Sequence, residues 1–303
     1  MSDKLWGIDL GGTKIEGAVL KSKEDPTPLV RKRIDTEADK GYQHVLQNIK
    51  RLIDDLAEEV GERPAIVGLG TPGAIDPPTG LMKNSNSQSL NHQPFKVDLE
   101  ALLGIPTRMA NDANCFALAE ARMGIVPEID PEAQVVFGVI MGTGCGGGVV
   151  VNGKVINGKQ GIGGEWGHNF LDESGGPCYC GKSGCTEKII SGTGLEDFYE
   201  QQTGTRKRLK EILPAARSGE DAAAVQTLDR LIHFFGLGIS TIINVLDPDV
   251  IVLGGGVGNV EELYTRGVEE AAKYVFNPRL DTKIVKPKLG DSAGVFGAAF
   301  LCE

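Results

Sequence analysis

His168, Cys178, Cys180 and Cys185 lie close together in the chain. One imidazole and three thiolates form the donor set of a four-coordinate zinc site. Such a site is structural rather than catalytic, because no position is left for water. The Cys-x-Cys spacing is tighter than the common Cys-x2-Cys, and free surface cysteines are the alternative. Zinc at such a site can contribute on the order of ten kcal/mol to folding, enough to pin a segment rich in Gly, Ser and Pro. Glu165 and Glu187 flank the cluster. A pinned loop would therefore present two carboxylates and an imidazole together, a set able to accept hydrogen bonds from vicinal hydroxyls of a polyhydroxylated ligand. Solvated surface glutamates are the plainer reading.

Asp9-Leu10-Gly11-Gly12-Thr13-Lys14 combines groups that suit a phosphate. Gly11 and Gly12 let backbone N–H groups approach, Thr13 offers a hydroxyl, Lys14 a cation, and Asp9 could hold Mg²⁺ through water. It is not a Walker A loop, and a tight turn with a surface lysine would look the same. Gly142-Thr143-Gly144-Cys145-Gly146-Gly147-Gly148 is harder to dismiss, since glycine costs chain entropy on folding. Gly254-Gly255-Gly256 follows a buried strand, at the carboxyl end where open α/β sheets place nucleotides. Asn111-Asp112 stands where a strand gives way to a helix, so Asp112 is a general base toward a hydroxyl or merely a helix cap.

Short β-prone runs at Leu5–Leu10 and Ile15–Leu20 flank the first glycine turn, and a third follows at Leu29–Ile34. Apolar residues at spacings of three and four predict a helix over Tyr42–Val60. Strands are expected at Ile66–Gly70 and Thr107–Asn111, with an ordered irregular loop over Thr71–Pro94 and a helix over Asp112–Met123. Val135–Val151 reads as a second hairpin turning at Gly142-Thr143-Gly144, which suggests a faint internal duplication of the first. Helices are predicted at Ala222–Leu246, Val260–Tyr274 and Ala293–Leu301, and a buried strand at Asp249–Leu253.

The chain has 303 residues and a net charge of −10, a length suited to two domains. Its acidity argues against nucleic acid or anionic lipid as partner. Glycine supplies 42 residues, about twice the ordinary ~7% share, without a collagen repeat. No secretory signal or membrane helix is read near the N-terminus or in Val135–Val151, so a cytoplasmic protein is expected. Clustered cysteines suit a metal site in a reducing compartment better than a disulfide framework.

Together these motifs resemble the ROK family (repressor, open reading frame, kinase) of sugar kinases, from Gly7 to Ala299. The resemblance is carried by G-I-D-L-G-G-T-K at 7–14, N-D-A-N-C at 111–115, G-T-G-C-G-G-G-V at 142–149, G-E-W-G-H at 164–168, C-Y-C-G-K-S-G-C-T-E at 178–187 and G-D-S-A-G-V-F-G-A-A at 290–299. It implies an α/β, two-domain, actin-like (ribonuclease H-like) fold with a zinc-stabilised loop, and with ATP and sugar in a cleft between the lobes. The lobes would be 1–113 plus 289–303, and 114–288. By motif match, Asp112 would take the proton of the sugar 6-hydroxyl as it attacks the γ-phosphorus of ATP, and Asp9 would position Mg²⁺. Gly11–Lys14 and Gly142-Thr143-Gly144 would hold phosphates, and Gly254-Gly255-Gly256 would lie against adenosine. Asn84, Asn111, Asp112, Glu165, His168 and Glu187 would bind sugar hydroxyls, His168 serving zinc as well. The stretch 83–95, together with Glu165-Trp166-Gly167-His168-Asn169, is similar to bacterial fructokinases and mannokinases, making fructose, with mannose or glucose, the expected substrate. An N-acetylglucosamine kinase or glucokinase is the alternative within the family. The repressor branch is disfavoured, because a first strand near Leu5 leaves no room for a DNA-binding module. A non-catalytic sugar-binding protein is disfavoured because Asp112, Lys14 and the phosphate turns are present. A homodimer is expected.

Overall fold

The computed structural model describes residues 3–85 and 87–303. Asn86, part of the stretch similar to fructokinases, lies outside the described residues. The chain opens with strands β1 (Leu5–Leu10), β2 (Lys14–Leu20) and β3 (Pro28–Asp35), helix α1 (Tyr42–Val60) and strand β4 (Val67–Thr71). A small ribbon, β5 (Ala74–Ile75) and β6 (Met82–Lys83), precedes α2 (Phe95–Leu103), β7 (Thr107–Asn111), α3 (Asp112–Arg122) and α4 (Val126–Ile129). Strands β8 (Val135–Met141), β9 (Cys145–Val151) and β10 (Lys154–Val155) follow, then α5 (Glu187–Ile190), α6 (Gly192–Thr203), α7 (Leu209–Ser218) and α8 (Ala222–Leu246). The chain ends with β11 (Val250–Gly254), α9 (Arg266–Ala272), β12 (Lys283–Val285) and α10 (Ala293–Phe300).

The strands form two five-stranded sheets, ordered β3-β2-β1-β4-β7 and β10-β9-β8-β11-β12. In the first, β1 pairs antiparallel with β2 and parallel with β4, and β4 pairs parallel with β7. In the second, β11 pairs parallel with β8 and β12. The shared strand order agrees with the suspected duplication. Two compact units emerge: residues 1–131, 148–163 and 288–303 form one, and 132–147 with 164–287 the other.

In the first unit, Leu46, Ile49, Leu52 and Leu56 of α1 are buried in one cluster with Ile8, Leu10 and Ile15 of the sheet. Helix α1 stops at Gly61, whose left-handed backbone turns its N–H onto the Ala57 carbonyl at 2.9 Å. Helix α10 packs on β1, β2 and β4. That approach depends on missing side chains: a Cβ on Gly7 or Gly68 would overlap the carbonyl of Val295 or Ala298. The expected lobe boundary after residue 113 falls inside α3. This helix stays with the first unit because it packs on α10, where a Cβ on Gly297 would overlap the Cys115 carbonyl.

In the second unit, α8 buries residues such as Leu231, Phe235 and Ile239 and packs on α6, α7 and α9. By length and composition α8 could cross a membrane, yet half of its apolar window is buried inside the protein. The helix predicted over Val260–Tyr274 is broken. A 3-10 turn covers Glu261–Tyr264 and α9 begins only after Thr265, whose backbone is non-helical. Tyr264 Oη, donating to Gly258 O at 2.5 Å, draws the first piece toward the end of β11. Helices α2, α6 and α7 have no counterpart among the predicted elements. Helix α6 starts on Gly192-Thr193-Gly194 and α7 contains Pro214, which hides their periodicity.

Gly68→Ala should lower stability by about 3 kcal/mol or more, because the added methyl meets backbone that has no room to yield. Urea unfolding measures this. A loss below about 1 kcal/mol would show that the strand and α10 are not in such contact.

Candidate active site

Parallel pairing aligns the first group of residues. Asp9 is opposite Gly70, and Thr71 opposite Asn111, so the carboxyl ends of β1, β4 and β7 lie side by side. The Gly11–Thr13 turn is closed by Gly11 N–H donating to Lys14 O at 2.9 Å. Buried Thr36 buttresses it, its hydroxyl donating to Gly11 O at 2.7 Å and its N–H to Thr13 O at 2.9 Å. The Lys14 ammonium is paired with Asp35. Asn84 sits in the left-handed region, φ 57°, next to Ser85, whose N–H and carbonyl are both bonded by the Asn91 amide at 2.9 Å.

Asn111 and Asp112 divide the roles that one residue could have filled. Asn111 is the N-cap of α3, its side chain accepting from Asn114 N–H at 2.8 Å. Asp112 is the first helical residue, accepting from Ala113 N–H at 2.8 Å. Its residue is accessible to solvent, yet desolvation by surrounding protein raises its carboxyl above the ordinary range, opposed by the N–H groups of Ala113 and Asp112. Asp9 is pushed up to about 7, chiefly by burial, then by the charges of Asp112 and Glu16, with Arg33 opposing. Glu16 is buried and ion-paired with Arg31 and Arg33. Asp9 and Asp112, whose carboxyls are raised by burial, are a setting that a divalent cation would relieve.

The second group belongs to the other unit. Strands β8 and β11 run in parallel register to Ile140↔Gly254, so Gly142–Gly144 and Gly254–Gly256 follow neighbouring carboxyl ends. Gly255 has φ +79°, and a Cβ there would overlap Met141 O. Gly142 and Gly256 have open space where a Cβ would stand. Glu187 opens α5 and accepts from Cys145 N–H at 3.0 Å, an approach that needs Gly144 bare. Burial, then the charges of Glu187 and Glu165, raise the Cys145 thiol. Trp166, which fixes the backbone between Glu165 and His168, is buried and donates Nε1–H to Gly146 O at 3.0 Å.

Ligand atoms of His168, Cys178, Cys180 and Cys185 all lie within 4.8 Å of one another. Cys178 Sγ is 3.7 Å from His168 Nδ1, and Cys180 Sγ is 3.6 Å from Cys185 Sγ. Ligands about 2.0–2.3 Å from a tetrahedral zinc stand at such separations, so the residues fit the ion. With Nδ1 turned to the thiols, His168 Nε2 points away and meets Tyr179 Oη at 3.0 Å.

Several participants carry no local signal in the sequence. Thr36, Glu16, Arg33, Trp166 and Tyr179 act through partners distant in the chain. Gly73 lies just past the predicted strand Ile66–Gly70, and a Cβ on it would come within 2.5 Å of Lys83 O.

The profile of the ROK family matches residues 5–303. The chain belongs to the ROK family. It is 38% identical over 306 residues to N-acetyl-D-glucosamine kinase of Vibrio atlanticus (strain LGP32), with 98% of each chain covered. Identity is 37% over 307 residues to that of Pasteurella multocida (strain Pm70), again with 98% of each covered. Among solved structures it is similar to a ROK hexokinase from Thermus thermophilus, with TM-score 0.87, 31% identity and 98% and 97% of the two chains covered. A ROK family glucokinase from Streptomyces griseus in complex with glucose and AMPPNP gives TM-score 0.75 and 27% identity, with 98% of each covered. The fold is therefore the α/β, actin-like fold of ROK kinases.

The raised Asp9 carboxyl makes a pH prediction. Its folded pKa near 7 exceeds the unfolded value, so the folded state holds the proton longer and stability falls as pH rises from about 4 to about 7. In metal-free protein, Asp9→Asn should therefore be neutral near pH 4 and stabilising by on the order of 1–3 kcal/mol at pH 8. Denaturant unfolding across this range checks it. A pH-independent effect would contradict the electrostatic assignment.

Proposed function

We propose that the protein is an ATP-dependent kinase that phosphorylates the 6-hydroxyl of N-acetyl-D-glucosamine. The observation that carries the kinase reading is Asp112: Asn111 does the capping, leaving an accessible carboxylate with a raised pKa at the carboxyl edge of the parallel strands. A base poised closer to neutrality suits proton removal from an alcohol. For the sugar, full-length similarity to proteins named N-acetyl-D-glucosamine kinases outweighs the single stretch 83–95, and the fructokinase expectation gives way to its alternative.

In this reading Asp112 accepts the proton of the 6-hydroxyl as that oxygen attacks the γ-phosphorus. The new O–P bond forms, the bond to the β-phosphate oxygen breaks, and ADP leaves with the electron pair. Asn84, Asn111, Glu165 and Glu187 bind sugar hydroxyls, and His168 does so through the Tyr179 hydroxyl that its Nε2 meets. The turns at Gly11–Lys14 and Gly142–Gly144 hold phosphates with backbone N–H groups, and Gly254–Gly256 lies against adenosine. Lys14 is first drawn from Asp35 by the stronger charge of the phosphates. Mg²⁺ would supply charge neutralisation at the phosphates, and Asp9 would help to hold it. Positioning and electrostatics supply most of the rate in phosphoryl transfer. A cytoplasmic location fits a protein that uses ATP and thiolate-bound zinc.

ADP release should be measured across N-acetyl-D-glucosamine, N-acetylmannosamine, glucose, mannose and fructose. The expected kcat/KM for N-acetyl-D-glucosamine exceeds that for fructose by about tenfold or more; a fructose preference would restore the other reading. Asp112→Asn should lower kcat by about 10²–10⁴ while calorimetry still detects sugar binding. Near-normal kcat would remove Asp112 as the base.

A further inference from the structure

Tyr179 stands between two cysteines of the tetrad. Its backbone is fixed by a tight turn, with Cys178 N–H donating to Lys182 O at 2.8 Å and Gly181 N–H to Cys178 O at 3.0 Å. The residue nevertheless remains 80% exposed. Its ring meets the His168 imidazole edge-on, centroids 5.2 Å apart at 88°, and its hydroxyl lies 3.0 Å from His168 Nε2. Tyr179 therefore stands against His168, one of the groups assigned above to the sugar.

In the second unit those groups are the Glu165 and Glu187 carboxylates and the His168 imidazole, which suit hydroxyls and offer nothing to a methyl. A 2-acetamido sugar differs from a 2-hydroxy hexose by a planar amide ending in a methyl, and that methyl gains from an apolar surface. The exposed phenol ring provides one. It loses little conformational entropy on binding, since only two side-chain torsions set it and the hydroxyl is already anchored.

We propose that Tyr179 is a specificity-determining residue of the sugar site, its ring receiving the acetamido methyl while its hydroxyl holds His168 Nε2. The proposal rests on the amino-sugar reading above. It differs from a purely supporting role for Tyr179. A residue that only oriented His168 would affect every sugar alike, and metal retention with it. A ring that meets the methyl affects amino sugars selectively.

The test measures kcat and KM separately for N-acetyl-D-glucosamine and glucose in the wild type, Tyr179→Ala and Tyr179→Phe, with zinc content determined on each protein. Tyr179→Ala should raise KM for N-acetyl-D-glucosamine about tenfold, with a several-fold smaller change for glucose, little change in kcat and zinc retained. Tyr179→Phe should restore most of the lost affinity. If Tyr179→Ala loses zinc, Tyr179→Gln replaces it, since an amide can still reach Nε2 but offers no ring; the same selective loss is expected. A wild type that phosphorylates N-acetyl-D-glucosamine, with variants that change both sugars in parallel or neither, overturns this proposal alone. A wild type inactive on N-acetyl-D-glucosamine overturns the substrate reading and this proposal with it.

Discussion

In the second unit, the loop that carries Glu165 and Glu187 depends on the convergence of His168, Cys178, Cys180 and Cys185. Between Gly164 and Thr186 the backbone has only 3-10 turns at Trp166–His168 and Glu173–Gly175, and isolated bridges at Phe170↔Cys185 and Pro177↔Ser183. Such a segment buries little and cannot hold carboxylates in place by itself. Zinc joined to the four ligand atoms would cross-link its two ends, next to Glu165 on one side and Glu187 on the other. Glu187 then reaches Cys145 N–H, which ties the loop to the glycine hairpin. The tetrad, Glu165, Glu187 and the glycine hairpin thus become one connected assembly.

A second constraint is steric, and it is spread through the fold. The glycine excess is shared between two uses that sequence alone does not separate. Gly142 and Gly256 border open space, as a ligand-facing turn requires. Gly7, Gly68 and Gly297 are bare because α10 lies against strand and helix backbone. The latter set aligns the first sheet with α3, and so fixes Asp9 and Asp112 within one unit. A close-packed interior of this kind has few alternative arrangements, which suits residues whose relative positions matter to about an ångström.

Elements with a strong period were legible. Helix α1 runs over Tyr42–Val60 as its three-and-four spacing predicts, and both glycine hairpins turn where expected. Helices α6 and α7 were hidden because a glycine-rich start and an internal proline blur the pattern, while tertiary packing supplies their stability. The broken stretch after Val260 has a helical period in sequence, but the Tyr264 hydroxyl bonds to a distant carbonyl and local spacing cannot register that. At the site, the tetrad was legible because its ligands are close in sequence. The division of labour between Asn111 and Asp112 was not, since either side chain could cap. Tyr179 and Thr36 were invisible for the same reason as most supporting residues: their partners lie elsewhere in the chain.

The central claim is that metal at the tetrad holds the loop carrying Glu165 and Glu187. Hydrogen exchange read by mass spectrometry, on the purified protein before and after removal of its zinc, addresses it most directly. Exchange in 165–187 should accelerate sharply when the metal leaves, while α1 over Tyr42–Val60 keeps its protection. A protein purified without chelator that contains no zinc, or a 165–187 segment equally protected without it, would contradict the claim.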